Sequence, residues 1–324
     1  MKKILITGAN GYIGNCLLHF LEGKFKIIGI DKNKSLNKKI LQCNIFNSKK
    51  LNLIIKKEKP DIIIHLAAQS LVDETINKKK YYDNNVLATS RLLKVMNDNS
   101  IKKILFSSTA AIYKQNLKSL TEKSKLKPLS TYARTKLICE KNIQKQKNIK
   151  SVILRFFNVC SALDKPIIGE FHNPETHLIP TIIYKSMFGK KIYIYGDNFP
   201  TPDGTCIRDY IHIKDICRAI EKSIEYLLAN KKSTIFNIGN NKGLSNNEII
   251  NYVKKLINKK IKLEYVNRRK GDISRLVCDS NKIKKALNWT AINSNLKRIT
   301  NDEVQWIKKL KSVGLTRKFK NYKL

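Results

Sequence analysis

The chain lacks the features that mark secreted, membrane-spanning and zinc-binding proteins. Its seven cysteines contain no C-x-x-C pair, and no histidine accompanies them at a zinc-ligand spacing, so we predict reduced thiols. The N-terminal segment MKKILITG is basic and then apolar, but its apolar run ends at Gly8, too early for a signal peptide. No run approaches the ~20 apolar residues of a membrane span. These absences favour a cytoplasmic protein.

Two of the five histidines come close to a metal motif. His172 and His177 are spaced i, i+5. A zinc site needs further cysteine, histidine or carboxylate ligands, and we identify no carboxylate or cysteine partner for this pair from the sequence. We therefore predict no metal site.

Acidic residues are scarce, with 25 Asp and Glu against 64 Lys and Arg, for a formal charge of +39. One interpretation is a nucleic-acid partner, because clustered cations release counterions from phosphate backbones. The lysines are scattered, however, and the abundance of asparagine and isoleucine is typical of drift toward A/T-rich codons. We expect no nucleic-acid partner, although the positive field should attract anionic substrates.

Alternating strands and helices predict an α/β protein. We expect a Rossmann-type doubly wound parallel sheet with a smaller mixed α/β C-terminal substrate domain, and 324 residues suffice for both. The first domain is predicted at 1–165 and the second at 166–324, with segments near 205–217 and 234–240 returning to the first. The predicted strands of the first domain are 3–7, 25–30, 62–66, 104–106 and 152–156.

Three glycines follow the first predicted strand in the segment TGANGYIG at 7–14. Gly8 allows a tight turn, Gly11 lets the backbone approach a pyrophosphate, and Gly14 lets helix and sheet pack closely. The amides at the helix start would hold the anion. The spacing G-x-x-G-x-x-G is typical of short-chain dehydrogenases, although three glycines can also simply punctuate a βαβ unit.

Asp31 ends the second predicted strand, where an acid bonds a ribose 2′-hydroxyl. A carboxylate at that position would repel a 2′-phosphate. The cofactor is therefore predicted to be NAD rather than NADP.

A catalytic pair is predicted at Tyr132 and Lys136, which share one helix face at i, i+4. Tyr210 and Lys214 have the same spacing, but only Tyr132 comes after a core strand whose C-terminal edge carries Ser107, Ser108 and Thr109. Ligands bind outside that edge in open α/β sheets. An ammonium and an oxidised nicotinamide nearby would favour the phenolate, so Tyr132 is predicted to be a base at neutral pH. The alternative is a surface tyrosine with a solvated lysine.

The chain resembles the UDP-glucose 4-epimerases, which are extended short-chain dehydrogenases/reductases. The resemblance runs from Lys3 to about Trp306. It is carried by TGANGYIG at 7–14, HLAA at 65–68, YYDNNV at 81–86, FSSTAAIY at 106–113, YARTK at 132–136, RFFN at 155–158, IYGDNFPTPDGTCIRDYIHIKDI at 194–216, RRKGD at 268–272 and ALNW at 286–289.

The resemblance implies a reaction and assigns residues to it. Tyr132 would take the proton of the sugar 4-hydroxyl while NAD accepts hydride from C4, and the 4-keto sugar would turn over before hydride returns. Thr109 would bond the sugar oxygen, and Lys136 would hold the nicotinamide ribose. The implied cofactor residues are Gly8, Gly11, Tyr12, Ile13, Gly14, Asp31, Asn44, Ile45, Leu66, Ala67, Ala68, Asn84, Ser107, Tyr132, Lys136 and Phe157. The implied UDP-sugar residues are Thr109, Tyr132, Asn158, His177, Leu178, Arg208, Tyr210, Arg269, Asp272 and Leu276.

Some features depart from the family or leave alternatives open. Ser70 replaces a frequent lysine, Lys114 the glycine after Tyr113, and Ala133 the glycine after Tyr132, which puts the geometry near the nicotinamide in question. Sugar-nucleotide 4,6-dehydratases, UDP-glucuronate decarboxylases and a non-catalytic NAD-binding regulator share the fold.

Three further expectations follow from the family. Dehydratases carry acids just after the catalytic hydroxyl, and the decarboxylases typically keep a glutamate there, whereas this chain has Ala110 and Ala111, which favours epimerisation. Leu276 stands where a bulky tyrosine excludes N-acetyl sugars, so we expect both plain and N-acetyl UDP-sugars to be accepted, although Leu276 can equally be an ordinary core residue. The family also implies a homodimer through the helices that follow Tyr81 and carry Tyr132.

Overall fold

The computed structural model describes residues 1–70, 77–172, 175–258, 261–269 and 272–315. Its largest element is a seven-stranded sheet in the order β12-β6-β5-β4-β1-β2-β3, in which every pairing is parallel. The strands are β1 (Lys3–Thr7), β2 (Lys26–Asp31), β3 (Ile40–Gln42), β4 (Ile62–His65), β5 (Lys103–Thr109), β6 (Lys150–Phe156) and β12 (Thr234–Ile238).

Helices cover both faces of this sheet, so the predicted doubly wound fold is confirmed. One face packs on α1 (Tyr12–Phe20), α7 (Ile213–Leu228) and α9 (Asn281–Leu287). The other face packs on α2 (Ser48–Glu58), α4 (Ala88–Asp98) and α5 (Thr131–Gln144). Short helical segments are α3 (Lys78–Tyr81), a π-helical turn (Tyr82–Leu87) and a 3₁₀ turn (Ala110–Ile112).

A second body of structure is built from segments after β6, between which the chain returns to the main sheet for α7, β12 and α9. Its strands are β7 (Asn158–Cys160), β8 (Ala162–Asp164), β9 (Ile167–Gly169), β10 (Ile192–Tyr195), β11 (Ile207–His212), β13 (Gly243–Ser245), β14 (Leu263–Val266) and β15 (Arg275–Leu276). Its helices are α6 (Leu178–Met187), α8 (Asn246–Ile257) and α10 (Leu296–Ser312). The domain boundary at 165 stays a prediction, but β12, which lies within the 234–240 segment, is the last strand of the main sheet.

Strand β11 is the centre of the second sheet. It pairs with β13 and β15 over its first half and with β7 over its second. Side chains alternate across a strand, so Arg208 and Tyr210 share one face while Asp209 lies on the other. The buried Asp209 carboxylate accepts the backbone N–H groups of Asn240 and Asn241, just after β12. This contact joins the second sheet to the edge of the first.

The described helices include none that is both long and apolar enough to cross a membrane. All seven cysteines are free and buried.

A buried ion pair fixes α5 against the main sheet. The Arg155 guanidinium on β6 donates to both carboxylate oxygens of Glu140 on α5, at 3.0 and 2.7 Å. Their side chains are only 4% and 1% exposed. Arg155 also donates to the Tyr113 hydroxyl at 2.8 Å, and Tyr113 donates to Asn237 on β12. Since Tyr132 and Lys136 lie about two turns and one turn before Glu140 on α5, this network sets where they stand.

We predict that Glu140→Ala lowers the free energy of unfolding by about 3–5 kcal/mol, because it leaves the Arg155 charge buried without its partner. Glu225→Ala is the matched control. It removes an exposed pair with Lys222, whose side chains are 52% and 46% accessible, and should cost under about 1 kcal/mol. Urea unfolding of both variants measures the difference. Equal losses would show that the buried pair does not hold α5.

Candidate active site

A single cavity of about 750 Å³ runs along the carboxyl edge of the main sheet and onto the face of β11. Every residue that the sequence assigned to cofactor or substrate lines it, from Gly8 to Leu276. Their individual roles stay predictions. The cavity nevertheless brings together side chains that are far apart in sequence.

The glycine turn after β1 is as close-packed as its motif implies. Gly8 has φ +72°, and a Cβ built on it would lie 2.8 Å from the backbone of Ala67. A Cβ on Gly14 would lie 2.4 Å from the Gly8 carbonyl oxygen. Any side chain at either position forces the backbone to shift, so the turn requires glycine for space as well as for conformation.

Asp31 stands at the end of β2, beside this turn. Its carboxylate accepts the backbone N–H of Asn10 at 3.1 Å and that of Asn33 at 3.0 Å. The acid is therefore oriented by the glycine loop itself. This is the position predicted for contact with a ribose hydroxyl.

Tyr132 and Lys136 lie on the first two turns of α5. The helix begins cleanly because the Ser130 hydroxyl accepts the N–H of Ala133 at 3.1 Å. Thr109, the last residue of β5, forms a side-chain hydrogen bond with Tyr132. Lys136 is buried with its ammonium 4.2 Å from the centre of the Phe106 ring, also on β5.

Burial shifts the pKa values of both residues of the pair. It raises the pKa of Tyr132 to about 12, and the hydrogen bond from Thr109 only partly opposes that rise. Burial also lowers the pKa of Lys136 to about 8. That Tyr132 acts as a base once an oxidised nicotinamide lies beside it stays a prediction.

The second half of the cavity is built by the pairing of β11. Tyr210 pairs with Asn158 on β7, and Arg208 pairs with Leu276 on β15. Four predicted substrate residues thus come from three strands of one sheet. Leu276 also packs in a small core cluster, so it serves both as cavity wall and as core.

Arg269 projects into this half from the segment after β14. Its guanidinium lies 3.7 Å from the centre of the Tyr195 ring, which is part of the same lining. A guanidinium is a planar fork of donors whose geometry matches phosphate oxygens. Tyr195 was not predicted as a site residue, although it lies in the quoted IYGD segment.

Two buried polar residues of the site were missed by sequence reasoning. Asn85 bonds the backbone of Gln69 with its carbonyl oxygen, at 2.7 Å, and the Thr135 hydroxyl on α5 with its amide, at 2.9 Å. It joins the loop after β4 to the helix that carries Tyr132. Its neighbour Asn84, which was predicted, lines the cavity. Because Asn85 lies in the polar run YDNNVL, its sequence neighbours give no sign that it is buried.

His65 is the second missed residue. Its Nδ1 lies 2.7 Å from the Thr7 hydroxyl and its Nε2 lies 3.0 Å from that of Thr89. Burial lowers the pKa of His65 to about 3, so the ring is neutral and serves as one donor and one acceptor. It ties β1, β4 and α4 together directly beneath the cavity.

We predicted no metal site because no carboxylate partner was identified for His172 and His177, and that premise is wrong. Glu170 and Glu175 lie beside His172 and His177, and ligand atoms of all four fall within 4.8 Å of one another. The carboxylates were overlooked because their spacing matches no familiar metal motif. They approach only when the chain folds back before α6.

Fold and site together define a nicotinamide-dependent enzyme of the short-chain dehydrogenase/reductase type. Residues 4–239 match the model of the NAD dependent epimerase/dehydratase family. The chain belongs to that family.

Individual relatives are similar to this chain over nearly its whole length. The UDP-glucose 4-epimerase of Lactobacillus helveticus is 37% identical, over 94% of this chain and 97% of its own length. That of Halalkalibacterium halodurans is 35% identical over 94% and 95%. The solved UDP-glucose 4-epimerase of Brucella ovis in complex with NAD superposes with a TM-score of 0.89, at 30% identity over 94% of this chain and 98% of that one. The predicted family, fold and cofactor NAD are confirmed.

We predict that Gly8→Ala lowers both the NAD content of the purified protein and its thermal midpoint. Gly23→Ala is the matched control, because Gly23 has a similar φ of +78° but open space where a Cβ would go. Both variants carry a backbone strain of about 1–2 kcal/mol, and only Gly8→Ala adds a clash with Ala67. NAD released by acid and measured by absorbance gives the readout. If both variants keep NAD equally, close approach at Gly8 is not what shapes the cofactor turn.

Proposed function

We propose that this protein interconverts UDP-glucose and UDP-galactose by inverting C4 of the sugar, with NAD held tightly throughout. One observation carries the proposal. A partly buried tyrosine that is hydrogen-bonded to a threonine and followed one turn later by a buried lysine stands in the same cavity as a nucleotide-binding glycine turn and two arginines.

The residues present fit the cofactor. The turn at Gly8 and Gly14 packs against backbone too closely to admit a Cβ, and it leads into the N-terminus of α1, where a pyrophosphate lies in this fold. Asp31 would hold the adenosine ribose and Lys136 the nicotinamide ribose, since both line the cavity. Bound NAD supplies a reversible hydride acceptor at the sugar C4.

Tyr132 moves the proton. Its phenol oxygen takes the proton of the 4-hydroxyl when the sugar is oxidised and returns it when the 4-keto group is reduced from the other face. Thr109 donates a hydrogen bond that stabilises the phenolate. Because burial holds the pKa near 12, the positive charge of an oxidised nicotinamide is needed to bring it down.

The UDP group is held on the β11 side. Arg208 and Arg269 suit a diphosphate because each planar fork bonds oxygens in pairs. Asn158, Leu178, Tyr210 and Asp272 complete this part of the lining. Because the UDP group supplies the binding energy, the sugar itself can rotate in the cavity. Inversion at C4 requires that rotation.

The main competing reaction is sugar dehydration. Its general acid must lie just past the catalytic hydroxyl in order to help expel water. Here Ala110 and Ala111 line the cavity at that point, and neither can donate a proton. Epimerisation needs no second acid, and so it is favoured.

The size of the side chain at Leu276 helps to determine which sugars the cavity can accept. Leucine is smaller than the tyrosine that excludes N-acetyl groups, so the proposal includes UDP-N-acetylglucosamine and UDP-N-acetylgalactosamine as substrates. The proposed assembly is a homodimer through α4 and α5 and the π-helical turn before α4, on which Tyr82 and Leu87 are exposed. The proposed location is the cytoplasm. Sedimentation equilibrium tests the assembly, and a mass equal to one chain would exclude it.

The test incubates purified protein with UDP-galactose, without added NAD, and follows UDP-glucose by NMR, with UDP-N-acetylgalactosamine in parallel. We expect conversion of both. Tyr132→Phe should lower turnover by about 10²–10⁴-fold while keeping NAD. Tyr226→Phe, outside the cavity, is the control and should match wild type.

Conversion that survives Tyr132→Phe would refute the assigned role of the phenol. NAD-loaded protein that converts neither sugar would refute the epimerase proposal and favour a dehydratase, a decarboxylase or a binding-only role.

A second prediction concerns pH. Thr109→Val removes the hydrogen bond that lowers the pKa of Tyr132, so that pKa should rise further. A rate that requires phenolate then reaches half its maximum at higher pH, by about one to two units for a charged hydrogen bond of about 1.5–3 kcal/mol. Thr109→Ser keeps the hydroxyl and should keep the wild-type profile. The pH dependence of kcat measures this, and an unshifted profile for Thr109→Val would contradict the role given to Thr109.

A further inference from the structure

We propose that Glu170, His172, Glu175 and His177 form a binding site for Zn²⁺ at the rim of the cavity, where α6 begins. The site is distinct from the Tyr132–Lys136 pair, and the proposal is independent of the sugar chemistry. Its ligands come from one short segment that folds back on itself between β9 and α6.

The fold holds both ends of this segment. Glu170 directly follows β9, and its carbonyl oxygen accepts the indole N–H of Trp306 on α10 at 2.6 Å. A Cβ at the preceding Gly169 would lie 2.6 Å from the same indole. At the other end, His177 is the N-cap residue of α6. The first and last of the four ligands are therefore held by elements of the fold.

The two imidazoles converge on the two carboxylates through the same ring atom. His177 Nδ1 lies 2.9 Å from both oxygens of Glu170, and His172 Nδ1 lies 3.2 Å from the nearer one. Both Nδ1 atoms lie 3.9 Å from Oε1 of Glu175. Ligands of a tetrahedral zinc ion at ~2.0–2.1 Å are about 3.3 Å apart, which is within the spread of these distances.

The carboxylates are buried, which makes their charge expensive. The side chains of Glu170 and Glu175 are 4% and 0% exposed, whereas those of His172 and His177 are 26% and 51% exposed. Two buried negative charges require positive charge close by. A divalent cation bound between the carboxylates and the imidazoles would supply that charge.

The donor set selects the kind of metal. Two imidazole nitrogens and two carboxylate oxygens suit Zn²⁺, whereas Mg²⁺ and Ca²⁺ prefer all-oxygen sites with more ligands. All four residues are supplied by the protein, and a site closed in this way is typical of a structural ion. A bound Zn²⁺ would fix the segment that leads into Leu178, which lines the cavity.

The experiment uses the full chain with its NAD and no sugar nucleotide. Protein treated with EDTA is titrated with Co²⁺, which reports tetrahedral coordination through visible absorption, and with Zn²⁺ in competition with a chromophoric chelator. We expect one ion per chain and a higher thermal midpoint with Zn²⁺. His172→Ala should weaken binding by at least about 10-fold, the lower end of what losing even an outer partner of a ligand costs.

His19→Ala is the matched control, since it removes a histidine on α1 that is not in the cluster, and it should bind metal like wild type. Glu175→Gln keeps the shape of the side chain but removes its charge and should also weaken binding. Unchanged NAD content shows that each variant is folded. Wild-type protein that takes up no metal, or His172→Ala that binds as tightly as His19→Ala, would overturn the proposal whether or not the enzyme epimerises sugars.

Discussion

Seven parallel strands end at one edge of the main sheet, and each component of the nucleotide half of the site stands on that edge. Parallel register brings Gly8 after β1, Asp31 at the end of β2, Ala67 after β4 and Thr109 at the end of β5 to the same side. The close approach between Gly8 and Ala67 is possible only because β1 and β4 are neighbours. The cavity is a consequence of this alignment, and the second sheet closes it from above through β11.

Burial shifts the charge states of the Tyr132–Lys136 pair. Desolvation disfavours the charged forms of both Tyr132 and Lys136, raising one pKa and lowering the other. Without an ionic ligand in the cavity, Tyr132 therefore favours its neutral phenol form. The hydrogen bond from Thr109 lowers the pKa of Tyr132 and so partly opposes the effect of burial. The Arg155–Glu140 pair holds α5, which carries Tyr132 and Lys136, against the main sheet.

Local patterns in the sequence were enough to predict the sheet, the glycine turn, Asp31 and the Tyr132–Lys136 pair, because each depends on spacing along one or two elements. Asn85 and His65 were missed because their importance comes from partners contributed by other elements. The rise in the pKa of Tyr132 could not be predicted because burial is a tertiary property. Glu170 and Glu175 escaped notice as metal ligands because a short chain reversal, held by Trp306, brings them to the histidines.

The central claim is that one buried site removes and returns the same hydrogen at C4. The most direct test supplies UDP-galactose with deuterium at C4 to the protein in ordinary water, without added NAD, and locates the label in the UDP-glucose formed. The account predicts that the deuterium is retained at C4, because that hydrogen never exchanges with solvent. Product with solvent hydrogen at C4 would contradict it and indicate inversion by simple proton exchange.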